Sequence, residues 1–284
     1  MQAPLAYRRP YSTAKKHPMF EPLRKIFRAR SETPRPSVPD GERIYVIGDV
    51  HGRADLFKSL IGAVEDDDRQ TSPAKTTIVL LGDLVDRGPD SAGVVAQARE
   101  LQAQRPVRIL AGNHEEMFLQ SFEERSILRH FLKHGGRETL FSYGITRERY
   151  NESTLDELQD LMREAVPQAD RDFLRGFEEY VIAGDYLFVH AGILPEVPLE
   201  EQSRHDLLWI RDRFLRHSAP HSHVVVHGHT ICDPVAECAN RIGIDTGAYR
   251  TGKLTALVLE GEARRYIQAV EDAGTITIRK MGTA

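Results

Sequence analysis

The sequence predicts an α/β protein built on a mixed sheet or two packed sheets, and three observations lead there. From Arg43 onward, short β-branched apolar runs alternate with segments of helical periodicity. The first three runs, with two helices between them, form a βαβαβ beginning, which implies parallel strands joined by right-handed crossovers. Polar residues of metal-ligating type also recur directly after the runs.

Taken in order, "RIYVIG" reads as a buried strand, "RADLFKSLIGAVEDD" as an amphipathic helix and "TTIVLLG" as the next strand. The helix "SAGVVAQARELQAQ" and the strand "VRILAG" complete the opening unit. Residues 115–179 read as a helical insertion or cap, with Thr154 and Glu157 forming a capping box and Pro167 opening a further helix. Strands return as "YLFVHAG", "HVVVHGH", "RIGIDTG" and "KLTALVLEG", with one helix, "DLLWIRDRFLRH", between the first two. No period of solenoid type is present.

At 284 residues with 40% hydrophobic side chains, the chain can bury one sizeable core, so a single main domain over 41–284 is expected. Residues 1–40 differ in kind. They hold nine Lys/Arg against Glu21, Glu32 and Asp40, and seven of the 15 prolines, whereas the remainder carries 29 basic and 39 acidic residues. A basic, Pro-rich tail of this kind cannot build a packed core and is expected to be disordered. Within it, "FEPLRKIFRARS" has the makings of a short basic amphipathic helix, and the acid-poor start has the flavour of an organelle transit segment.

No apolar run approaches the ~18 residues of a membrane span, and the N-terminus lacks the apolar core of a secretory signal, so a cytoplasmic protein is expected. Cys232 and Cys238 match no common zinc or redox spacing and read as ordinary reduced thiols. The acidic body argues against nucleic acid, and no Walker loop or dinucleotide fingerprint opens a helix.

The chemistry is concentrated at the strand ends. Asp49 and His51 follow "YVIG", Asp83 and Asp86 follow "VLLG", Asn113 and His114 follow "ILAG", His190 follows "LFV" and His229 follows "VVVHG". A lone Asp after a strand is ordinarily a turn former, and a lone His an ordinary surface or core residue. Five coincident tips, all bearing oxygen or imidazole ligands, point instead to one shared site, since ligands in open α/β sheets sit where strand carboxyl ends converge. Oxygen and imidazole donors without thiolate suit Mn²⁺, Fe or Zn²⁺. The donors exceed what one open catalytic ion takes, so two ions are expected, ~3.5–4 Å apart, holding a bridging hydroxide in line for attack at phosphorus.

The ordered motifs "GDVHGR", "GDLVDRG", "GNHE", "VHAG" and "HGHT" resemble those of the PPP-type metallophosphoesterases, the serine/threonine protein phosphatases and their bacterial relatives. The resemblance spans Ile44 to about Glu260. It implies a calcineurin-like fold of two packed mixed sheets with helices outside and metals at one sheet edge. By the same resemblance Asp49 and His51 bind the first metal, Asp83 bridges, and Asn113, His190 and His229 hold the second, with Mn²⁺ the expected ion. Ile231, where related phosphoesterases outside this group often carry a second ligating histidine, fits the PPP pattern.

His114 is expected to diverge from its ligand neighbour along an extended segment and serve as general acid, oriented by a carboxylate that the resemblance implies is Asp86. Arg87 offers a planar fork matched to phosphate oxygens, and Arg211 resembles the second phosphate-clamping arginine of bacterial members, with Arg213 as a substitute for it. "DTGAY" (245–249) reads as a possible site-lining turn, "KHGGRETLFSYG" (133–144) resembles a segment of a bacterial subset without an assignable role, and Arg53 reads only as the first turn of a helix. The expected substrate is a phosphorylated protein or small phosphoester. Phospho-Ser/Thr hydrolysis is favoured over the alternative, dinucleoside polyphosphate hydrolysis, because the symmetrical diadenosine tetraphosphatases typically have a small residue at the position of Asp86 and GNHD where this chain has Glu115. A catalytically dead scaffold would have lost ligands, and none is lost.

Overall fold

The structure is a computed structural model and describes residues 35–282. The basic segment noted above therefore lies outside the described residues, as does most of the tail. Among the described residues there are eleven strands: β1 (Glu42–Ile47), β2 (Lys75–Leu80), β3 (Val107–Ile109), β4 (Tyr180–Ala183), β5 (Tyr186–Val189), β6 (Val224–His227), β7 (Ala236–Glu237), β8 (Arg241–Gly243), β9 (Lys253–Glu260), β10 (Ala263–Asp272) and β11 (Thr275–Gly282). They form two sheets, ordered β11-β10-β9-β1-β2-β3 and β4-β5-β6-β8-β7.

The helices are α1 (Ala54–Gln70), α2 (Ser91–Gln104), α3 (Asn113–Gln120), α4 (Arg125–Phe131), α5 (Arg137–Ser142), α6 (Arg147–Glu152), α7 (Leu155–Ala165), α8 (Gln168–Arg175), α9 (Arg204–Trp209), α10 (Asp212–Leu215) and α11 (Ala248–Thr251). A kinked turn, Leu132–Gly136, joins α4 to α5, with His134 and Gly135 outside helical backbone.

Strand alternation explains the layering. In β1, Ile44 and Val46 face the second sheet and meet Tyr186, Phe188, Val224 and Val226, while Tyr45 and Ile47 face outward onto Leu56, Phe57, Leu60 and Val64 of α1. In β5, Leu187 and Val189 turn outward to Leu207, Ile210 and Phe214. Each sheet thus has both faces covered, which is why its central strands read as continuous apolar runs rather than alternating ones. Helices α3 to α8 have their own apolar cluster, including Phe118, Phe131, Leu140, Leu158 and Met162.

Three expectations need correction. The single helix over 206–217 is two short helices, α9 and α10, broken where Arg211 adopts φ −134°, ψ −99°. Leu207, Ile210 and Phe214 keep a helix-like stripe across the break, so periodicity does not reveal it. The long β10–β11 hairpin follows the last strand expected from sequence, because Arg264, Arg265 and Gln268 interrupt its apolar pattern. The body also begins earlier than residue 41: Ser37 donates its backbone N–H to Asp185 Oδ2 at 2.9 Å, and Val38 is buried.

Candidate dinuclear metal centre

The register brings the strand tips together. β1, β2 and β3 are parallel, with Ile47 opposite Leu80 and Leu80 opposite Ile109. In the second sheet, Val189 pairs with His227 and His227 with Gly243, again in parallel. All the residues singled out at strand ends therefore emerge along one edge of the sandwich. The backbone there is unusual: of seven non-glycine residues with positive φ among the described residues, five are His51, Asp83, Asp86, Arg87 and His229. Left-handed backbone is costly for such side chains and tends to cluster at functional sites.

Two groups of ligand atoms share one carboxylate. His51, Asp83 and His114 form the first, and Asp83, His190 and His229 the second. Asp83 Oδ2 lies 3.4 Å from His51 Nε2, and its Oδ1 lies 3.5 Å from His190 Nε2. Asp83 thus faces an imidazole on either side, the placement required of a bridge. Nδ1 of His51 and of His190 lies 2.8 Å from the carbonyls of Val85 and Leu81 respectively. A carbonyl can only accept, so Nδ1 carries the proton and Nε2 presents a lone pair to the centre. Asn113 Oδ1 lies 3.0 Å from His190 Nε2 and 2.8 Å from His229 Nδ1. In the first of these contacts two acceptors face each other, an arrangement that a cation between them would resolve. Burial above all, with neighbouring positive charges including Arg211, holds His190 below the ordinary imidazole range and His229 at about 2.

Asp49 belongs to neither of these three-residue groups. Its Oδ2 accepts the backbone N–H of His229 at 2.9 Å, while Oδ1 is buried without a partner. His51 has φ 46°, so the two do not project from one extended chain as the sequence suggests. Burial, then the charges of Asp245 and Asp83, raise the Asp49 carboxyl well above its usual value.

His114 lies in the first turn of α3, not on an extended segment, and it is the helical rotation that separates it from Asn113. Its Nδ1 is 2.6 Å from Asp86 Oδ2, and both residues are buried. Burial lowers the His114 proton affinity, but the charges of Asp83 and Asp86 more than offset it, and the net direction is up. Arg87 donates from Nη1 to His51 Nε2 and from Nη2 to His114 Nε2, each at 2.8 Å, with its guanidinium 4.8 Å above the Tyr249 ring. Taking a cation at His51 requires Arg87 to release that nitrogen. Arg211 and Arg213 are both exposed, but only Arg211 is among the charges acting on the site histidines.

Asp49, Asp83, Asp86, Asp245 and Glu115 are all buried at this edge. Arg87 and Arg211 are too few to balance five carboxylates, and buried charges need partners or metal. Together with the orphaned Asp49 oxygen, this fits a site for two divalent cations.

Several residues have contacts that the sequence reading did not assign. Glu115 faces the backbone: Oε2 accepts the N–H groups of Asp83 and Gly112, each at 2.9 Å, and Oε1 those of Leu84 and Val85 at 2.7 and 3.2 Å. Arg53 donates to the Ala248 carbonyl at 3.1 Å and to Asp55 and Glu271, holding α11 and with it Tyr249, whose ring lies 5.2 Å from that of His51. Trp209 packs edge-on to His229 and donates to Glu116.

A family model for calcineurin-like phosphoesterases matches residues 42–248. A symmetrical bis(5'-nucleosyl)-tetraphosphatase of Acidovorax ebreus is 33% identical over 165 residues, covering 56% of this chain and 47% of the relative, so this chain spans about half the length of that protein. Serine/threonine-protein phosphatase 1 of Salmonella typhimurium is 28% identical over 218 residues, covering 75% of this chain and 89% of the relative. A crystal structure of a putative diadenosine tetraphosphatase superposes with a TM-score of 0.54 at 19% identity, over 88% of this chain and all of that one, which speaks to the fold alone. With two mixed sheets, two ligand groups at their edge and a family match across most of its length, the chain belongs to the calcineurin-like phosphoesterases.

Proposed function

We propose that the chain hydrolyses phosphate monoesters of alkyl alcohols, with phosphoserine and phosphothreonine in proteins as the substrate class. The observation that supports this reading is the buried Asp86–His114 pair. A positioned acid matters in proportion to the basicity of the leaving group. A leaving phosphate has a second pKa of ~6, a phenol ~10, and an alkoxide is comparable with hydroxide, whose parent water lies at ~15.7. An imidazole locked to a carboxylate is the device an alkoxide needs, whereas cleavage of a polyphosphate gains little from it.

In this reading Asp49, His51 and Asp83 would hold one divalent cation, and Asp83, Asn113, His190 and His229 the other, Mn²⁺ suiting the donor set with Fe or Zn²⁺ as alternatives. When bound, the cations lower the pKa of the attacking water and offset phosphoryl charge. Arg87 turns its planar fork to the phosphate oxygens, with Arg211 approaching from the second sheet. Once Arg87 has turned to the phosphate, His114 Nε2 is free to take up a proton from solvent, with Nδ1–H kept on Asp86, and that Nε2 proton goes to the departing oxygen.

Dinucleoside polyphosphate hydrolysis is the second reading, because relatives named for that activity align at 33% identity. The test compares Mn²⁺-loaded protein on phospho-Ser/Thr peptides, phosphotyrosine peptides and diadenosine tetraphosphate. A hundredfold preference in kcat/KM, ~2.7 kcal/mol, for phospho-Ser/Thr is the expected result, and the same preference for the tetraphosphate overturns it.

A further inference from the structure

We infer that Thr139, with the kinked Gly135 turn before it, positions the Asp86–His114 acid pair and the Arg87 fork for departure of an alkoxide. Resting on the proposed role of His114, this gives the segment "KHGGRETLFSYG" a purpose.

A threonine inside a helix commonly bonds back to a carbonyl one turn earlier. Thr139 does not. Its hydroxyl reaches across 53 residues to Asp86, accepting the backbone N–H at 2.9 Å and donating to Oδ1 at 2.6 Å. Ser91, at the start of α2, completes the cage: its Oγ also accepts the Asp86 N–H at 2.9 Å and lies 2.9 Å from Thr139 Oγ1. The protons balance. Thr139 gives its hydrogen to Asp86, so the hydrogen between the two hydroxyls is supplied by Ser91. Asp86 Oδ1 is therefore held by Thr139, which leaves Oδ2 to His114 Nδ1. Thr139 and Ser91 are both fully buried, so water cannot stand in for either hydroxyl without repacking.

The adjoining turn holds the next residue. Asp86 and Arg87 are consecutive non-glycine residues in left-handed backbone, at φ 73° and 70°, a conformation that survives only where the surroundings impose it. The Gly135 carbonyl accepts the Arg87 N–H at 3.0 Å. Gly135 has φ 107°, and a Cβ there would lie 2.7 Å from Arg87 Cγ and 2.8 Å from its nitrogen. Only a glycine lets the helical insertion approach so closely. A kink between the two helices, where His134 (φ −101°, ψ 16°) and Gly135 (φ 107°, ψ 4°) leave helical backbone, carries that carbonyl to Arg87. The insertion thus grips the "DRG" turn at two successive residues, one on the acid pair and one on the phosphate fork.

Thr139 touches no substrate in this scheme and acts through Asp86 on the orientation of His114. Its loss should therefore be felt in proportion to the need for a protonated leaving group. The experiment measures kcat/KM of Mn²⁺-loaded wild type, Thr139→Val, Thr139→Ser and His114→Asn on a phosphoserine peptide and on 2,4-dinitrophenyl phosphate, which needs no acid. Thr139→Val should lose at least tenfold on the phosphopeptide and under threefold on the aryl ester. Thr139→Ser should recover the phosphopeptide activity to within threefold of wild type. Thr139→Ala replaces valine if the latter fails to fold, and bound metal and melting temperature are measured for each.

Equal loss of Thr139→Val on both substrates, or no rescue by serine, overturns the inference. His114→Asn separates the two levels. If it discriminates between the substrates and Thr139→Val does not, the positioning role fails alone. If His114→Asn also fails to discriminate, the general-acid reading falls with it.

Discussion

Glu115→Gln is the substitution that most directly tests how the bridging carboxylate is held. The wild-type side chain is 1% exposed and accepts four backbone N–H groups, three of them from the Asp83–Val85 turn. Glutamine keeps one oxygen, able to retain two of those donors, and turns an amide NH₂ toward the other two. Two buried donors are then unpaired, at ~1–3 kcal/mol each, a gross cost of ~2–6 kcal/mol. Removing the charge returns part of that. Burial and the Asp83 charge push the Glu115 carboxyl up to about 7 against the pull of the N–H bonds, so a neutral side chain is easier to bury. A net loss of ~2–3 kcal/mol is expected, read from equilibrium urea denaturation with metal chelated. Because the turn carries Asp83, a shift of ~1 Å there should also cost about a hundredfold in kcat/KM with Mn²⁺. Unchanged stability together with unchanged turnover would refute the role assigned to Glu115.

Asp83→Asn should lose bound Mn²⁺ and activity together, since its two oxygens serve both ligand groups, and metal analysis after desalting checks it. Chelation should lower the melting temperature, because a cation at 100 times its Kd contributes ~2.7 kcal/mol and a chain of this size shifts by ~2 °C per kcal/mol, giving ~5 °C per ion. Far from the site, Asp67 accepts from Arg265 at 2.5 Å, Tyr45 at 2.8 Å and Lys280 at 3.0 Å, and although burial opposes it these partners lower its pKa. A lowered folded pKa stabilises above the unfolded value of ~3.9 and is lost as pH falls through the folded one, so Asp67→Asn should cost ~1–2 kcal/mol at pH 7 and flatten the acid limb of stability below about pH 4.

The strand tips are legible because their signal is local: an apolar run, a glycine and a polar residue adjacent in sequence announce both the end of the strand and its cargo. Helix α2 is readable to the residue for the same reason, since Asp90 caps it and Arg105 leaves it extended. What is missed depends on partners distant in sequence. Nothing near Thr139 says that its hydroxyl meets Asp86, and nothing near Arg53 says that it holds Ala248 across 195 positions. The break at Arg211 is hidden because apolar spacing runs through it, and β10 because charged side chains punctuate it. Asp49 and His51 illustrate a subtler limit. Spacing two apart places side chains on one side only if the backbone is extended, and with His51 left-handed the sequence spacing does not by itself set how the two are oriented.

Positions 86 and 115 both served to favour a phosphomonoesterase, yet the structure gives them unequal weight. Glu115 is turned wholly to the backbone, so its replacement should change the rates on a phosphopeptide and on diadenosine tetraphosphate by a common factor. Asp86 is different, because it meets His114 at 2.6 Å and so bears on the proton given to the leaving group. Replacing it with alanine, the kind of small residue expected at this position in symmetrical diadenosine tetraphosphatases, removes the carboxylate that holds the imidazole while leaving the metal ligands in place. Loss of a general acid costs ~10²–10⁴ on an alkyl phosphate and much less where the leaving group is itself a phosphate. Asp86→Ala should therefore move the ratio of kcat/KM toward the tetraphosphate by at least tenfold, measured on the two substrates in one metal-loaded preparation. An unchanged ratio would mean that the leaving group departs without help from His114, and the preference for protein phosphoesters would lose its physical basis.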